Sequence, residues 1–162
     1  MILCLDPSST RCGYALMSAP AHLHEAGLLQ PKPRKLTLLP RVRQFAADVA
    51  ALVSEFKPTA IVIEVSTTCH GSARSAGYTA TLGVYGLAVG YLLRTIETLG
   101  PAIDTVEATI WTERVPKDRR TATIARLYPG RYHAESDPGG DAADAIGIGR
   151  WWLFRHREGV AA

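Results

Sequence analysis

The chain has 162 residues, 47% of them hydrophobic, enough to bury a sizeable core in one domain. Its 18 Lys and Arg stand against 15 Asp and Glu, a formal charge of +3 that is too small to identify a polyanionic partner by itself. Three cysteines without metal-finger spacing, no apolar run of membrane-spanning length, and an MILCLDP start without a basic segment or cleavage site argue against a zinc finger, a transmembrane chain and a secretory leader. A soluble, cytoplasmic protein with reduced thiols is expected.

Residues 1–6 are an apolar strand run ending on Asp6. The small-residue turn Pro7-Ser8-Ser9 follows, then an alternating segment from Cys12 to Ser18, so a hairpin is expected. A third strand is read over His22 to Leu29, before a basic loop from Pro31 to Lys35. Val42, Phe45, Ala46, Val49, Leu52, Val53 and Phe56 recur at helical spacing and predict a helix over Leu39 to Phe56. Pro58 closes it. The run Ala60-Ile61-Val62-Ile63-Glu64 then repeats the pattern of the first strand, a buried stretch ending on a carboxylate.

Beyond a polar loop, a long apolar helix is predicted from about Gly77 to Leu99. Gly83, Gly86 and Gly90 weaken it by roughly 1 kcal/mol each relative to Ala, unless close helix packing, such as a dimer contact, needs the missing side chains. Tyr78, Leu82, Tyr85 and Val89 form a packing stripe along the same helix. Pro101 to Val106 reads as a strand, Arg119 to Tyr128 as a short basic helix, and Asp141 to about Arg155 as a final helix introduced by Pro138-Gly139-Gly140. Trp151, Trp152, Leu153 and Phe154 on that helix are expected in the core, with Trp111 less clearly assigned. The order indicates a single α/β domain over residues 1–162, its mixed five-stranded sheet flanked by helices.

If the strands ending at Asp6 and Glu64 lie parallel and adjacent, their carboxylates emerge at one end of the sheet. Asp141 and Asp144, three apart at a helix start, share one face and can approach that end together. Each residue also has an ordinary reading. Asp6 can end a strand at a turn, Glu64 can be an exposed strand end, and Asp141 and Asp144 can favour a helix dipole. In combination, four carboxylates in one pocket repel unless cations neutralise them. Hard oxygen donors without Cys or a His pair suit Mg²⁺ or Mn²⁺, with two ions per site, and phosphodiester hydrolysis is the chemistry that follows.

In order and spacing, Ile2-Leu3-Cys4-Leu5-Asp6-Pro7-Ser8-Ser9 with Gly13-Tyr14, then Ile61-Val62-Ile63-Glu64, then Asp141-Ala142-Ala143-Asp144-Ala145 resemble the RuvC family of Holliday-junction resolvases across essentially the whole chain. The resemblance implies an RNase H-like fold, a homodimer, and paired symmetric nicks across a four-way DNA junction. It assigns Asp6, Glu64, Asp141 and Asp144 as catalytic metal ligands. Ser8 stands where the family usually has Gly, and the loop after Glu64 offers only His70 where the family often presents an aromatic. Lys117, Arg119 and Arg120 correspond loosely to the family's late basic residues. They are candidates for phosphate contact, as is Arg74, and His70 is a candidate for base stacking; each is otherwise an ordinary surface residue.

Two alternatives to a resolvase are a non-catalytic junction-binding protein and a nuclease of broader branched-DNA specificity. A small-molecule phosphotransferase, suggested by Asp6 followed by Ser8-Ser9-Thr10 and Gly13, needs two large lobes, and this chain has room for one. A branch-migration helicase partner is left open.

Overall fold

The computed structural model describes residues 1–8, 10–32, 36–66 and 76–157, with the backbone alone for residues 76–82 and 157. Strands β1 (Ile2–Pro7), β2 (Cys12–Ala19) and β3 (His22–Leu29) are followed by helix α1 (Leu38–Phe56), strand β4 (Ala60–Val65) and helix α2 (Ala76–Glu97). Strand β5 (Ala102–Glu107), helices α3 (Ala108–Trp111) and α4 (Lys117–Leu127), a 3₁₀ turn at Ala134–Ser136 and helix α5 (Asp141–Arg157) complete the chain. The five strands form one mixed sheet in the order β3-β2-β1-β4-β5. Strands β1, β2 and β3 are antiparallel neighbours, whereas β4 lies parallel to both β1 and β5.

Side-chain alternation along the strands divides the core between the two faces of the sheet. Leu3, Leu5, Ile61 and Ile63 pack on one face with Phe45 and Val49 of α1 and Val89, Leu92 and Ile96 of α2. Cys4 and Val62 pack on the other with Ile124 of α4 and Ala142, Ala145 and Ile146 of α5. Asp6 and Glu64 follow Cys4 and Val62 at spacing two, so the alternation aims both at the α5 face. Leu5 pairs with Ile63 in the β1–β4 ladder, which sets Asp6 beside Glu64 at the carboxyl ends of two parallel strands.

The expected elements are present, with differences at α3, at α4 and at the 3₁₀ turn, and of the core residues expected on α5, Leu153 is buried but Phe154 is exposed. Helix α4 begins at Lys117, two residues before the expected Arg119, because Pro116 can occupy the N-cap without losing a needed donor. Helix α3 was not foreseen, since four residues, Ala108–Trp111, are too few to show a helical period. On α2, an added Cβ at Gly83, Gly86 or Gly90 meets nothing within 4 Å among the described residues. These glycines sit on an outward face that also exposes Leu87 and Tyr91, so packing among the described residues does not account for them. Cys4 and Cys12 are buried free thiols, as expected. Among the described residues no helix is long and apolar enough to cross a membrane. His70, Arg74, Cys69 and the Pro/Lys/Arg loop at 33–35 lie outside the described residues.

Candidate active site

The site forms where the first turn of α5 meets the ends of β1 and β4. Gly13, the cross-strand partner of Asp6, makes this meeting close. A Cβ there would collide with the Asp141 carbonyl and lie 2.9 Å from the Ala142 nitrogen, so the backbone of α5 rests directly on β2. Asp137 fixes the helix start: its carboxylate, only 4% exposed, accepts from the backbone N–H groups of Asp141 and Ala143, both at 3.0 Å, and from the Tyr132 hydroxyl at 2.9 Å. Replacing Asp137 by Ala leaves these donors without an acceptor. We expect it to lower unfolding stability by about 2 kcal/mol. Urea unfolding checks this, and an unchanged midpoint refutes the capping role.

Asp141 and Asp144 are buried and held by cations. Lys117 Nζ, at the start of α4, donates to Asp141 Oδ1 at 2.7 Å and lies 2.9 Å from Asp144 Oδ2. Arg120 grips Asp144 in bidentate fashion, its Nε and Nη2 each donating at 3.0 Å, while its Nη1 donates to the Val115 carbonyl at 2.6 Å. Arg11 forms an ion pair with Asp141 through its Nε. Glu64 accepts from the Trp111 indole Nε1 at 2.6 Å. Its strand end is held by Tyr85, whose hydroxyl accepts from the Ser66 N–H at 3.0 Å and donates to the Glu64 carbonyl at 3.4 Å.

Burial pushes the Asp6 carboxyl well above the usual carboxylate range, and the nearby charges of Glu64, Asp144 and Asp141 push the same way against Lys117. Glu64 is also raised by burial and by Asp144, partly offset by the Trp111 hydrogen bond and the charges of Lys117 and Arg120. Burial raises Asp144, with Lys117 and Arg120 opposing. For Lys117, burial pulls downward, but hydrogen bonds to Asp141 and Asp144 prevail and leave it above its ordinary value. Asp6 thus feels the other three carboxylates, and the cations of α4 offset part of the repulsion within the site.

The structure brings together Asp6, Glu64, Asp141, Asp144, Lys117 and Arg120 from the sequence reading. Arg119 is exposed on α4, and no hydrogen bond or ion pair joins it to these carboxylates. Among the described residues, no three His, Cys, Asp or Glu side chains stand close enough to share a metal ion; Asp141 and Asp144 are drawn onto Lys117, Arg11 and Arg120 instead. Arg11, Trp111 and Asp137 are the residues that the sequence reading did not assign to the site. Arg11 carried a signal, as a basic residue in the hairpin turn after Asp6, and so did Asp137, an Asp just ahead of a Pro-Gly-Gly helix start. Trp111 carried none, being 47 positions from Glu64.

Solved structures share this arrangement of strands and helices. RuvC of Thermus thermophilus in complex with a Holliday junction superposes with a TM-score of 0.73 at 18% identity, covering 99% of this chain and 96% of that one. The chain has the RuvC fold. A second Thermus thermophilus RuvC structure gives a TM-score of 0.65 at 18% identity, over 99% of this chain and 97% of that one. The yeast mitochondrial Holliday junction resolvase Ydc2 gives 0.57 at 14% identity, over 94% and 77%. No protein-family model and no curated protein sequence matches the chain. The mixed five-stranded sheet flanked by helices is therefore shared with these structures at low sequence identity.

Proposed function

We propose that this chain is a divalent-metal-dependent endodeoxyribonuclease that resolves four-way DNA junctions by paired nicks. The observation that carries the reading is the meeting of Asp6, Glu64, Asp141 and Asp144 at one end of a RuvC-type sheet, beside the Lys117 and Arg120 cations. The likeness to two proteins solved as Holliday-junction resolvases or with junction DNA supports it.

The chemistry of the donors present suits a metal, although among the described residues no three of them stand close enough to share one without movement. All four side chains offer hard carboxylate oxygens, the choice of Mg²⁺ and Mn²⁺; burial raises Asp6 and Glu64, and the charges of Glu64, Asp144 and Asp141 add to it at Asp6, a repulsion that a divalent cation removes. Asp6, Glu64, Asp141 and Asp144 would hold two such ions, which when bound supply an activated water and charge neutralisation at the leaving 3′ oxygen. The chain's own residues do the rest. Asp137 and Gly13 hold the two helix carboxylates against the sheet. Arg120 keeps Asp144 in a single rotamer through its bidentate grip. Lys117, half-exposed at the mouth of the site, can exchange a carboxylate partner for a substrate phosphate. We extend DNA contact to the exposed Arg119 and to His70 and Arg74 of the loop after β4.

Paired nicks need two sites, and we assign the second to another copy of this chain, docked on the outward α2 face of Gly83, Gly86, Leu87, Gly90 and Tyr91. Glycines on an exposed helix face are explained if a second helix approaches there. A labelled four-way junction incubated with the protein is expected to give symmetric nicks with Mg²⁺ or Mn²⁺ and none with excess chelator, and linear duplex should be spared. Junction retardation without nicks at any metal concentration overturns the nuclease in favour of a binding module. Equal cutting of flap and Y-shaped DNA replaces junction resolution with broader branched-DNA cleavage.

A further inference from the structure

Trp111 is buried between three parts of the site. Its Nε1 donates to Glu64 Oε2 at 2.6 Å, and the Arg120 guanidinium lies over its ring, 5.0 Å from the centroid. The far edge of the indole presses on α5 at Gly147, where an added Cβ would come within 2.6 Å of the ring. Arg120, stacked on Trp111, is the residue that grips Asp144. One rigid side chain thereby touches β4, α4 and α5 at once.

The hydrogen bond to Glu64 differs in kind from those at its neighbours. Asp141 and Asp144 are paired with Lys117, Arg11 and Arg120, all cations. The indole is a neutral donor with no acceptor capacity, so it fixes the orientation of the Glu64 carboxylate without cancelling its charge. A glutamate otherwise has three side-chain torsions free to turn at a strand end, whereas the tryptophan has two and is wedged against Gly147. We propose that Trp111 is a positioning residue that locks Glu64 and, through Arg120, Asp144 into the arrangement that receives a divalent cation. The proposal rests on the nuclease reading above.

The test measures Mn²⁺ binding by calorimetry on DNA-free protein, together with kcat and KM for junction nicking, for wild type and Trp111→Phe. Losing this outer partner is expected to weaken Mn²⁺ affinity by about tenfold or more and to lower kcat comparably, leaving KM and metal-free junction binding unchanged. In a Glu64→Gln background the same substitution should lose clearly less Mn²⁺ affinity than it does in wild type, since only the part that acts through Arg120 on Asp144 remains. A Trp111 that only fills space would cost the same in both backgrounds, and that result overturns the proposal. So does wild-type Mn²⁺ affinity in Trp111→Phe. Should the Phe variant fail to fold, site-specific benzothienylalanine at position 111 keeps the ring shape while deleting the N–H, and is read against the same outcomes. Wild-type protein that neither binds Mn²⁺ nor nicks overturns the nuclease reading and this inference with it. Wild type that does both, beside an unaffected variant, removes Trp111 alone.

Discussion

Asp6→Asn is expected to stop nicking, to keep junction binding, and to raise the melting temperature of the metal-free protein. The loss follows from the role proposed for Asp6 as a cation ligand. Removing interactions worth several kcal/mol of transition-state stabilisation slows the reaction by about 10³-fold or more. Binding should survive because the phosphate contacts proposed above fall on Lys117, Arg119 and other basic groups rather than on Asp6. The stability gain comes from the same crowding that suits a metal. Asp6 is partly buried, beside Glu64, Asp144 and Asp141 with Lys117 as its opposing charge, so its proton affinity in the folded state is raised. A carboxylate raised in this way is disfavoured in its charged form, and above the ordinary carboxylate range its ionisation costs folding stability. Asparagine has nearly the same shape and no charge. Each kcal/mol relieved should appear as about 2–4 °C in a chain of this size. Adding Mg²⁺ should reverse the order, because only wild type gains the free energy of binding the ion. Thermal melts with chelator and with Mg²⁺, beside a nicking assay, check all three expectations. Wild-type nicking by Asp6→Asn overturns the assignment of this residue.

The sequence displayed those parts of the site that depend on short-range pattern. Two apolar runs ending on Asp6 and Glu64 are legible because strand alternation and burial act within six residues, and the i, i+3 spacing of Asp141 and Asp144 is a property of any helix. The charge run was only half legible. Lys117 and Arg120, three apart, share a face of α4 and both reach the carboxylates, whereas Arg119 between them is exposed. Recognising this needs the helix to start at Lys117, and an expected start at Arg119 leaves Lys117 in a loop. The Trp111–Glu64 bond was not legible at all, because it depends on how α3, too short to show a period, is set beside β4. The ion pair of Arg11 with Asp141 likewise joins a hairpin turn to a distant helix. Cross-element contacts of this kind follow from the packed fold, and no local spacing encodes them. The glycines of α2 are a different case: their signal was plain in the sequence, and the described residues do not supply the contact that would explain them.

Gly13→Ala is expected to damage both stability and nicking, because one methyl group would separate the two halves of the site. Gly13 pairs with Asp6 across the β1–β2 ladder, and the first turn of α5 lies directly over it. The atoms an added Cβ would strike are the carbonyl of Asp141 and the backbone nitrogen of Ala142. Neither can rotate away, so the helix start itself must lift or β2 must shift. Both routes are resisted. The Asp137 cap, the Arg11 ion pair and the Lys117 contact all hold the start of α5 where it is. Overpacking against backbone therefore falls at the upper end of its usual range, about 3 kcal/mol, or roughly 6–12 °C in melting temperature. Gly149→Ala supplies the comparison on the same helix. Its Cβ would meet Cys4 Sγ and Met17 Sδ at 2.7 Å, and the methionine sulfur belongs to a flexible side chain that can move. Its destabilisation should be smaller, with nicking retained. For Gly13→Ala, a displacement of about 1 Å between Asp6 and the helix carboxylates is enough to cost roughly 10²-fold in rate, even in the fraction that remains folded. Single-turnover nicking at a temperature where both variants are folded separates this geometric loss from unfolding. Equal rates for Gly13→Ala and wild type under those conditions would mean that Asp141 and Asp144 need not stand close to Asp6, and the four-carboxylate site would have to be abandoned.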